Sequence, residues 1–493
     1  MRASMLLLEA VASHAMARAS TPAVHDASGP VSWASFWQKI CAKADELVDQ
    51  GVKPGDRIVL WAKPSADYLA AILACARVGG ICTPLSLMLN QRTVSNLLAD
   101  AEPKVILVDD PSNGTCGGFD HLKTVPTVAS ITASLAPMPV RHEAAIISAD
   151  SAMSLIYSSG TTGTPKGILH SRTARDFYGI IFALEYGITR DSVTLLATPP
   201  YSNGTWMMAL PTLFQGGCCV VAPKLKTPDI PDLLLSHGVT HAFLVPTQLD
   251  ALFADGPRAL GKSNLTIVSA GSFLPLKTKR AILDTDDVRL FELFGNTEGV
   301  CSILRPEQMD VGFDSVGTAI TTGKIAVSES GEILGRNALQ SMGYFNRPRL
   351  TEALWVKADD GGQPFVRSGD LGAIGDDGFL RLKGRLKDMI VSGGINVYPA
   401  DIEEFLREHE DVADAAVTGA SHEKWGETPV AYVLLKANAS TDADALKAWA
   451  NSQLNKHQRL QDVTILDDFP RNALGKVIKA ELGDQTKEGA SNA

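Results

Sequence analysis

The sequence predicts an α/β protein in two parts, a large N-terminal part of parallel and mixed sheets covered by helices and a small α+β C-terminal part. Three observations carry this. At 493 residues the chain is too long for a single hydrophobic core. Apolar runs such as RIVLWA (57–62), KVILVD (104–109) and CCVVA (218–222) alternate with helix-like segments such as SADYLAAILACARVGG (65–80), the pattern of parallel strands joined by crossover helices. After about Gly384 the texture changes: an amphipathic DIEEFLREHE (401–410) precedes two strand-like runs, AAVTGA and PVAYVLLK. That final stretch of roughly 100 residues is large enough to fold alone. The polar tail QTKEGASNA reads as disordered.

Composition narrows the function classes. Lysine plus arginine total 45 against 55 acidic residues, a net charge of -10. Nucleic acid and anionic membrane are therefore poor partners, and any phosphate site must be locally basic. No apolar run is long enough to span a bilayer, so no stable membrane insertion is expected. Glu9 interrupts the short apolar run of MRASMLLLEAVASH, which argues against a cleaved leader. The seven cysteines (Cys41, Cys75, Cys82, Cys116, Cys218, Cys219 and Cys301) show no CxxC or other ligand-like spacing. Reduced thiols and a cytoplasmic location are expected, and a zinc site is not.

The densest chemistry lies in SSGTTGTPKG (158–167). A Walker P-loop needs glycine before its lysine and a hydroxyl residue after it, whereas Lys166 follows Pro165 and precedes Gly167. The physics still points to an anion. Gly160 and Gly163 open backbone conformations closed to other residues, Ser158, Ser159, Thr161, Thr162 and Thr164 supply hydroxyls, and Lys166 supplies a charge. The loop follows MSLIY (153–157), which reads as a buried strand. A flexible surface turn is the competing reading.

Three later segments belong with it. FELFGNTEG (291–299) sets Glu298 beyond the carboxyl end of a strand, where open α/β sheets bind ligands. RSGDLG (367–372) and GRLKDMIVSGGINVYPADIE (384–403) bring Asp370, Arg385 and Lys387 to the change of texture, and PRNALGKVIK (470–479) carries Lys476. Read singly, Glu298 also suits a helix cap, Asp370 a turn, Arg385 and Lys387 a solvated surface, and Lys476 a basic last helix.

In order, SSGTTGTPKG, FGNTEG, RSGDLG, GRLKD, SGGINVYP and ALGK resemble the motifs of the adenylate-forming superfamily: acyl- and aryl-CoA synthetases, luciferase and the adenylation domains of peptide synthetases. GVKPGDRIVLWAKPSADYLAAILACARVGGICTPL and GEILGRNALQSMGYFNRP extend the similarity over nearly the whole chain, which in type is most similar to bacterial carboxylic acid:CoA ligases. The resemblance implies a cytoplasmic enzyme that uses ATP, Mg²⁺ and coenzyme A and joins a carboxylic acid to AMP before passing the acyl group to a thiol. It also implies a domain at 1–386, a mobile small domain at 387–484 hinged at Lys387, and a tail at 485–493.

Carried over by resemblance, Thr161 and Glu298 hold Mg²⁺, and Ser158, Ser159, Gly160, Thr162, Gly163, Thr164 and Lys166 hold the β- and γ-phosphates. Ser272, Phe294, Gly295, Asn296 and Thr297 line the nucleotide. Asp370 takes the ribose hydroxyls with help from Arg385. Lys476 bridges the carboxylate and the α-phosphate. Gly393 and Gly394 admit the pantetheine arm, and Trp425 is a candidate contact for coenzyme A beside its alternative as a buried structural residue.

The chain departs from the family at three points. Phe294 replaces a tyrosine, Ala270-Gly271-Ser272-Phe273 replaces Gly-Gly-Ala-Pro, and Ser202 in PPYSNGTW stands where many CoA ligases have histidine, so that residue's gating role is not carried over. No aspartate near Ser202 is available for an ammonium group, which disfavours α-amino acids. An acyl pocket drawn from Tyr201, Asn203, Phe243, Val245, Ala270, Gly271, Phe273, Val300 and Cys301 is apolar to weakly polar and suits an aromatic or medium-chain aliphatic acid. An acyl-AMP ligase that loads a carrier-protein pantetheine is the alternative within the family. A non-catalytic nucleotide-binding regulator is disfavoured by intact Glu298 and Lys476. A peripheral membrane enzyme is disfavoured by the lack of a basic amphipathic helix. A homodimer is left open.

Overall fold

The computed structural model describes residues 5–112, 126–133, 147–158, 166–222, 225–257, 260, 264–392, 395–423, 425–471 and 477–482. The chain forms two compact units. One comprises Met1–Phe313, Gly317–Ile325 and Gly335–Val366, the other Asp314–Val316, Ala326–Leu334 and Arg367–Ala493. This is the mixed α/β architecture expected, a large sheet-bearing part and a smaller one.

In the first unit the alternating apolar runs become two large sheets. Among the described residues the first has nine strands, with a parallel centre in the spatial order Val288–Gly295, Leu265–Ala270, His241–Leu244, Val193–Leu196 and Cys218–Val221. Cys301–Leu304 returns antiparallel along one side. Register aligns Phe243 with Val268 and Val268 with Phe291, so these apolar side chains share one face. That face packs on the helices Arg172–Tyr186 and Asn203–Gln215 through Tyr178, Phe182, Tyr186 and Trp206, all in one core cluster.

The second sheet has seven described strands in the order Gly343–Tyr344, Lys166–Ser171, Ala152–Ser158, Ile81–Pro84, Arg57–Trp61, Val105–Val108 and Thr127–Ser130. The runs RIVLWA, KVILVD and MSLIY supply three of these strands, their side chains almost wholly buried. Helix Ala66–Val78 lies between two of them in sequence. The Ser65 side chain starts it by accepting the Tyr68 N–H at 3.1 Å, and Gly79 ends it. Among the described residues no helix is long and apolar enough to cross a membrane.

In the second unit, positions Asp370 to Ile374 of the strand Phe365–Ile374 pair antiparallel with Leu380–Arg385 as a hairpin. Farther along, Val412–His422 and Gly426–Leu435 pair antiparallel over ten registered positions. The helix expected in DIEEFLREHE spans Pro399–Arg407, with proline in its first turn where its missing N–H costs nothing. Ile402 and Leu406 on its inner face pack with Val417, Ala431 and Val433, giving this unit its own core.

Candidate active site

The Ser/Thr/Gly loop connects two antiparallel strands, Ala152–Ser158 and Lys166–Ser171, with Ser158 registered against Lys166. Its residues Ser159, Gly160, Thr161, Thr162, Gly163 and Thr164 lie outside the described residues, as do Gly393, Gly394 and Lys476. The neighbouring strand Gly343–Tyr344 pairs with the lysine-bearing strand, Tyr344 against Ile168. This pairing places the Lys166 ammonium 5.3 Å from the centre of the Tyr344 ring. The same ring donates its hydroxyl to Glu298 Oε1 at 2.8 Å. One ring therefore meets both groups, the cation over its face and the carboxylate through its hydroxyl. Burial raises the Tyr344 phenol above the ordinary tyrosine range, and the Glu298 charge adds to the shift, so the hydroxyl remains a donor.

Glu298 is presented by a tight turn after strand Val288–Gly295. Asn296 Oδ1 accepts the N–H groups of Gly299 at 3.0 Å and Val300 at 2.9 Å, folding the chain back on itself. Gly299 has φ +116°, and a Cβ there would sit 2.6 Å from the Gln340 Cα. Only glycine fits. The Glu298 carbonyl accepts the Ser341 N–H at 3.0 Å and the Thr297 carbonyl accepts from His170 Nε2 at 2.9 Å. Phe294 is half-buried and Gly295 exposed at the strand end.

Of the residues assigned to the acyl side, Phe243, Val245, Ala270, Val300 and Cys301 are buried, and all but Val300 belong to one cluster with Tyr178 and Trp206. They gather at the carboxyl ends of the parallel strands, with Cys301 registered against Gly295. The Phe243 ring closes over Gly204, where a Cβ would lie 2.7 Å from Cε1. Ser202 caps helix Asn203–Gln215 by accepting the Gly204 N–H at 3.3 Å, so the residue in the histidine's place starts the helix. The Tyr201 hydroxyl lies 4.0 Å from the sulfur of Met88, an exposed residue. Gly271, Ser272 and Phe273 are exposed. Burial raises the Cys301 thiol well above its usual range, so it is an inert apolar wall.

In the second unit Asp370 and Arg385 face each other across the hairpin, Arg385 Nε 3.2 Å from Asp370 Oδ1. Lys387 is 42 % exposed, its ammonium 3.5 Å from Asp388. Trp425 is half-buried rather than enclosed, with the His457 ring edge-on at 5.9 Å and the Lys456 ammonium 5.6 Å from its centre.

Glu298 suits a hard divalent cation. One oxygen holds the Tyr344 hydroxyl, leaving the other carboxylate oxygen for a metal that prefers oxygen ligands and keeps several waters. Among the described residues no cluster of three or more His, Cys, Asp or Glu side chains that could hold a metal ion occurs.

Residues 11–345 match the AMP-binding enzyme family, and residues 401–476 match the AMP-binding enzyme C-terminal domain. The chain belongs to the AMP-binding enzyme family. This AMP-binding enzyme is 26 % identical to a 2-succinylbenzoate–CoA ligase of Geobacillus sp. (strain WCH70), covering 93 % of this chain and 94 % of the relative. It is 28 % identical to an indoleacetate–CoA ligase of Aromatoleum aromaticum, covering 97 % and 98 %. Its fold is similar to that of ATP-bound MatB from Rhodopseudomonas palustris, with a TM-score of 0.87, 26 % identity and 99 % of each chain covered.

Sequence reasoning missed Tyr344, His170 and Arg175. GYFNRP was visible as a family segment, but nothing local marks Tyr344 as the partner of residues 46 and 178 positions away. Arg175 did leave a signal: with Tyr178, Phe182 and Tyr186 it falls at helical spacing on an otherwise apolar face.

Proposed function

We propose that this AMP-binding enzyme is an ATP-dependent carboxylic acid:coenzyme A ligase that works through an acyl-AMP intermediate, with an aromatic acid as its acyl substrate. The observation that carries this is the group Lys166–Tyr344–Glu298, in which one ring meets the cation over its face and the carboxylate through its hydroxyl. The apolar, aromatic acyl side and relatives that act on 2-succinylbenzoate and indoleacetate support an aryl acid.

A carboxylate resists attack because a nucleophile adds charge to an anion. In the first step its oxygen bonds to the α-phosphorus of ATP and the bond to pyrophosphate breaks. In the second, the coenzyme A thiol attacks the activated carbonyl, loses its proton, and AMP departs. Positioning and charge stabilisation carry the first step. Lys166 and the loop hold the leaving pyrophosphate, Thr161 and Glu298 hold Mg²⁺, which neutralises phosphate charge, and Tyr344 orients Glu298. Asp370 and Arg385 take the ribose, and Lys476 faces the α-phosphate. Lys387 serves as the hinge between the two steps, after which Gly393 and Gly394 admit the pantetheine and Trp425 contacts coenzyme A. The domain bounds 1–386 and 387–484 follow from that hinge. The six described cysteines are buried free thiols, which supports a cytoplasmic location.

The test is a panel of benzoates, arylacetates, arylpropenoates, medium-chain fatty acids and amino acids, scored for pyrophosphate exchange and for AMP release with and without coenzyme A. Aryl acids should drive exchange, and coenzyme A should accelerate AMP release. Exchange with α-amino acids alone would overturn the reading. Turnover with a carrier-protein pantetheine but not with coenzyme A would move the enzyme to the acyl-AMP ligase alternative.

A further inference from the structure

Arg175 lies near the start of helix Arg172–Tyr186 and is fully buried. Its Nε donates to Ser154 Oγ at 3.0 Å, Nη1 to Asn203 Oδ1 at 2.9 Å, and Nη2 to His170 Nδ1 at 3.2 Å. The rings of Tyr178 and Trp206 lie 4.6 and 4.5 Å from the guanidinium carbon. Among the described residues no carboxylate pairs with it. Burial lowers its pKa to about 10, which still leaves it charged at neutral pH. An enclosed cation whose bonds all end on neutral acceptors is costly to keep.

The bonds form a chain with a defined direction. A guanidinium has donors only, so His170 Nδ1 must be the acceptor. The remaining ring proton then sits on Nε2, which donates to the Thr297 carbonyl at 2.9 Å. Thr297 immediately precedes Glu298. In the other direction, Asn203 is held at both ends of its amide, Oδ1 by Arg175 and Nδ2 by its donation to the Tyr178 hydroxyl at 2.9 Å. Asn203 opens the helix on the acyl side.

We propose that Arg175 is a positioning residue for adenylation that holds both halves of the acid-activating site at once, the start of the acyl-side helix through Asn203 and the Glu298 segment through His170. It touches neither substrate. The kinetic consequence rests on the ligase reading above; the geometric one does not. Each arm serves a different substrate, the Asn203 arm the carboxylic acid and the His170 arm MgATP.

Three variants separate the arms. His170→Asn keeps an acceptor for Arg175 but cannot reach Thr297. Asn203→Ala cuts the acyl arm. Arg175→Met cuts both and keeps the length of the side chain. Pyrophosphate exchange is measured with either benzoate or MgATP varied, alongside thermal unfolding and amide hydrogen exchange of peptides covering 296–300 and 203–208. His170→Asn should raise the KM for MgATP about tenfold, the effect of one lost hydrogen bond, and leave that for the acid within twofold. Asn203→Ala should do the reverse, and Arg175→Met should raise both. Arg175→Lys should rescue neither, because an ammonium cannot reproduce the planar fork. A purely structural role would lower the unfolding temperature while both Michaelis constants stayed put, and that result in Arg175→Met overturns the proposal. If Arg175→Met does not fold, the other two variants decide. Equal shifts of both constants in each, or none in either, overturn it. If no acid supports exchange in the wild type, the ligase reading fails but the positioning does not. His170→Asn must then speed amide exchange across 296–300, and an unchanged rate refutes the proposal.

Discussion

The Tyr344 hydroxyl donates to Glu298 Oε1 at 2.8 Å while the Lys166 ammonium stands 5.3 Å from the centre of the same ring. Removing only that oxygen tests what the bond does. In Tyr344→Phe the ring stays beneath Lys166, and Glu298 loses the donor that aims it. A hydrogen bond to a charged group contributes about 1.5 to 3 kcal/mol, so pyrophosphate exchange should fall roughly ten- to hundredfold, with a higher Mg²⁺ concentration needed for half-maximal rate. Titrating Mg²⁺ at fixed ATP measures this. Because burial holds the phenol above its ordinary pKa, it keeps its proton at high pH. The wild-type exchange rate should show no tyrosine limb below about pH 10.

Gly299→Ala should damage both fold and function. A Cβ would lie 2.6 Å from the backbone of Gln340 at a φ of +116°, a conformation that costs a side chain about 1 to 3 kcal/mol before the clash is counted. The turn carries Glu298. A lowered unfolding temperature together with lost exchange activity is expected, and wild-type values for both would show that the turn has another way to close.

Lys476→Ala separates the two half-reactions. Losing one preorganised electrostatic contact in the transition state costs on the order of 3 to 4 kcal/mol. Acyl-AMP formation should drop by about a hundred- to thousandfold, whereas synthetic acyl-AMP plus coenzyme A should still give thioester at near the wild-type rate. Equal losses in both single-turnover assays would remove Lys476 from the adenylation step.

Lys279 and Glu292 form an enclosed ion pair 2.5 Å apart beneath the nine-stranded sheet, with Lys279 also bonded to the Phe313 carbonyl at 2.7 Å. Glu292→Gln leaves a buried ammonium without its charge partner and should cost about 3 to 5 kcal/mol. The double variant Lys279→Met/Glu292→Met should recover most of that loss, since buried pairs replaced together by apolar groups are often neutral. Denaturant midpoints of the three proteins measure the difference, and additive losses in the double variant would contradict it.

The sequence by itself determined what short-range physics encodes. MSLIY is a largely apolar run of strand length, and it is a strand because burying both faces of a sheet favours near-continuous apolar side chains; FELFG reads the same way except at Glu292, whose charge is met by Lys279. The helix that starts after Ser65 and ends at Gly79 carries its own caps. Motif order was equally legible, since each motif is a few contiguous residues whose chemistry survives being read alone. Tertiary structure alone decided which of these residues meet. Gly343–Tyr344 is a two-residue strand, too short for any periodicity, and only its pairing with Lys166–Ser171 brings Tyr344 against both Lys166 and Glu298. Arg175 was missed although it falls at helical spacing on an otherwise apolar face, and its three acceptors come from two strands and another helix. Hydrogen bonds across such separations follow from sheet register and helix packing, which depend on the burial of the whole core and leave no local pattern in the chain.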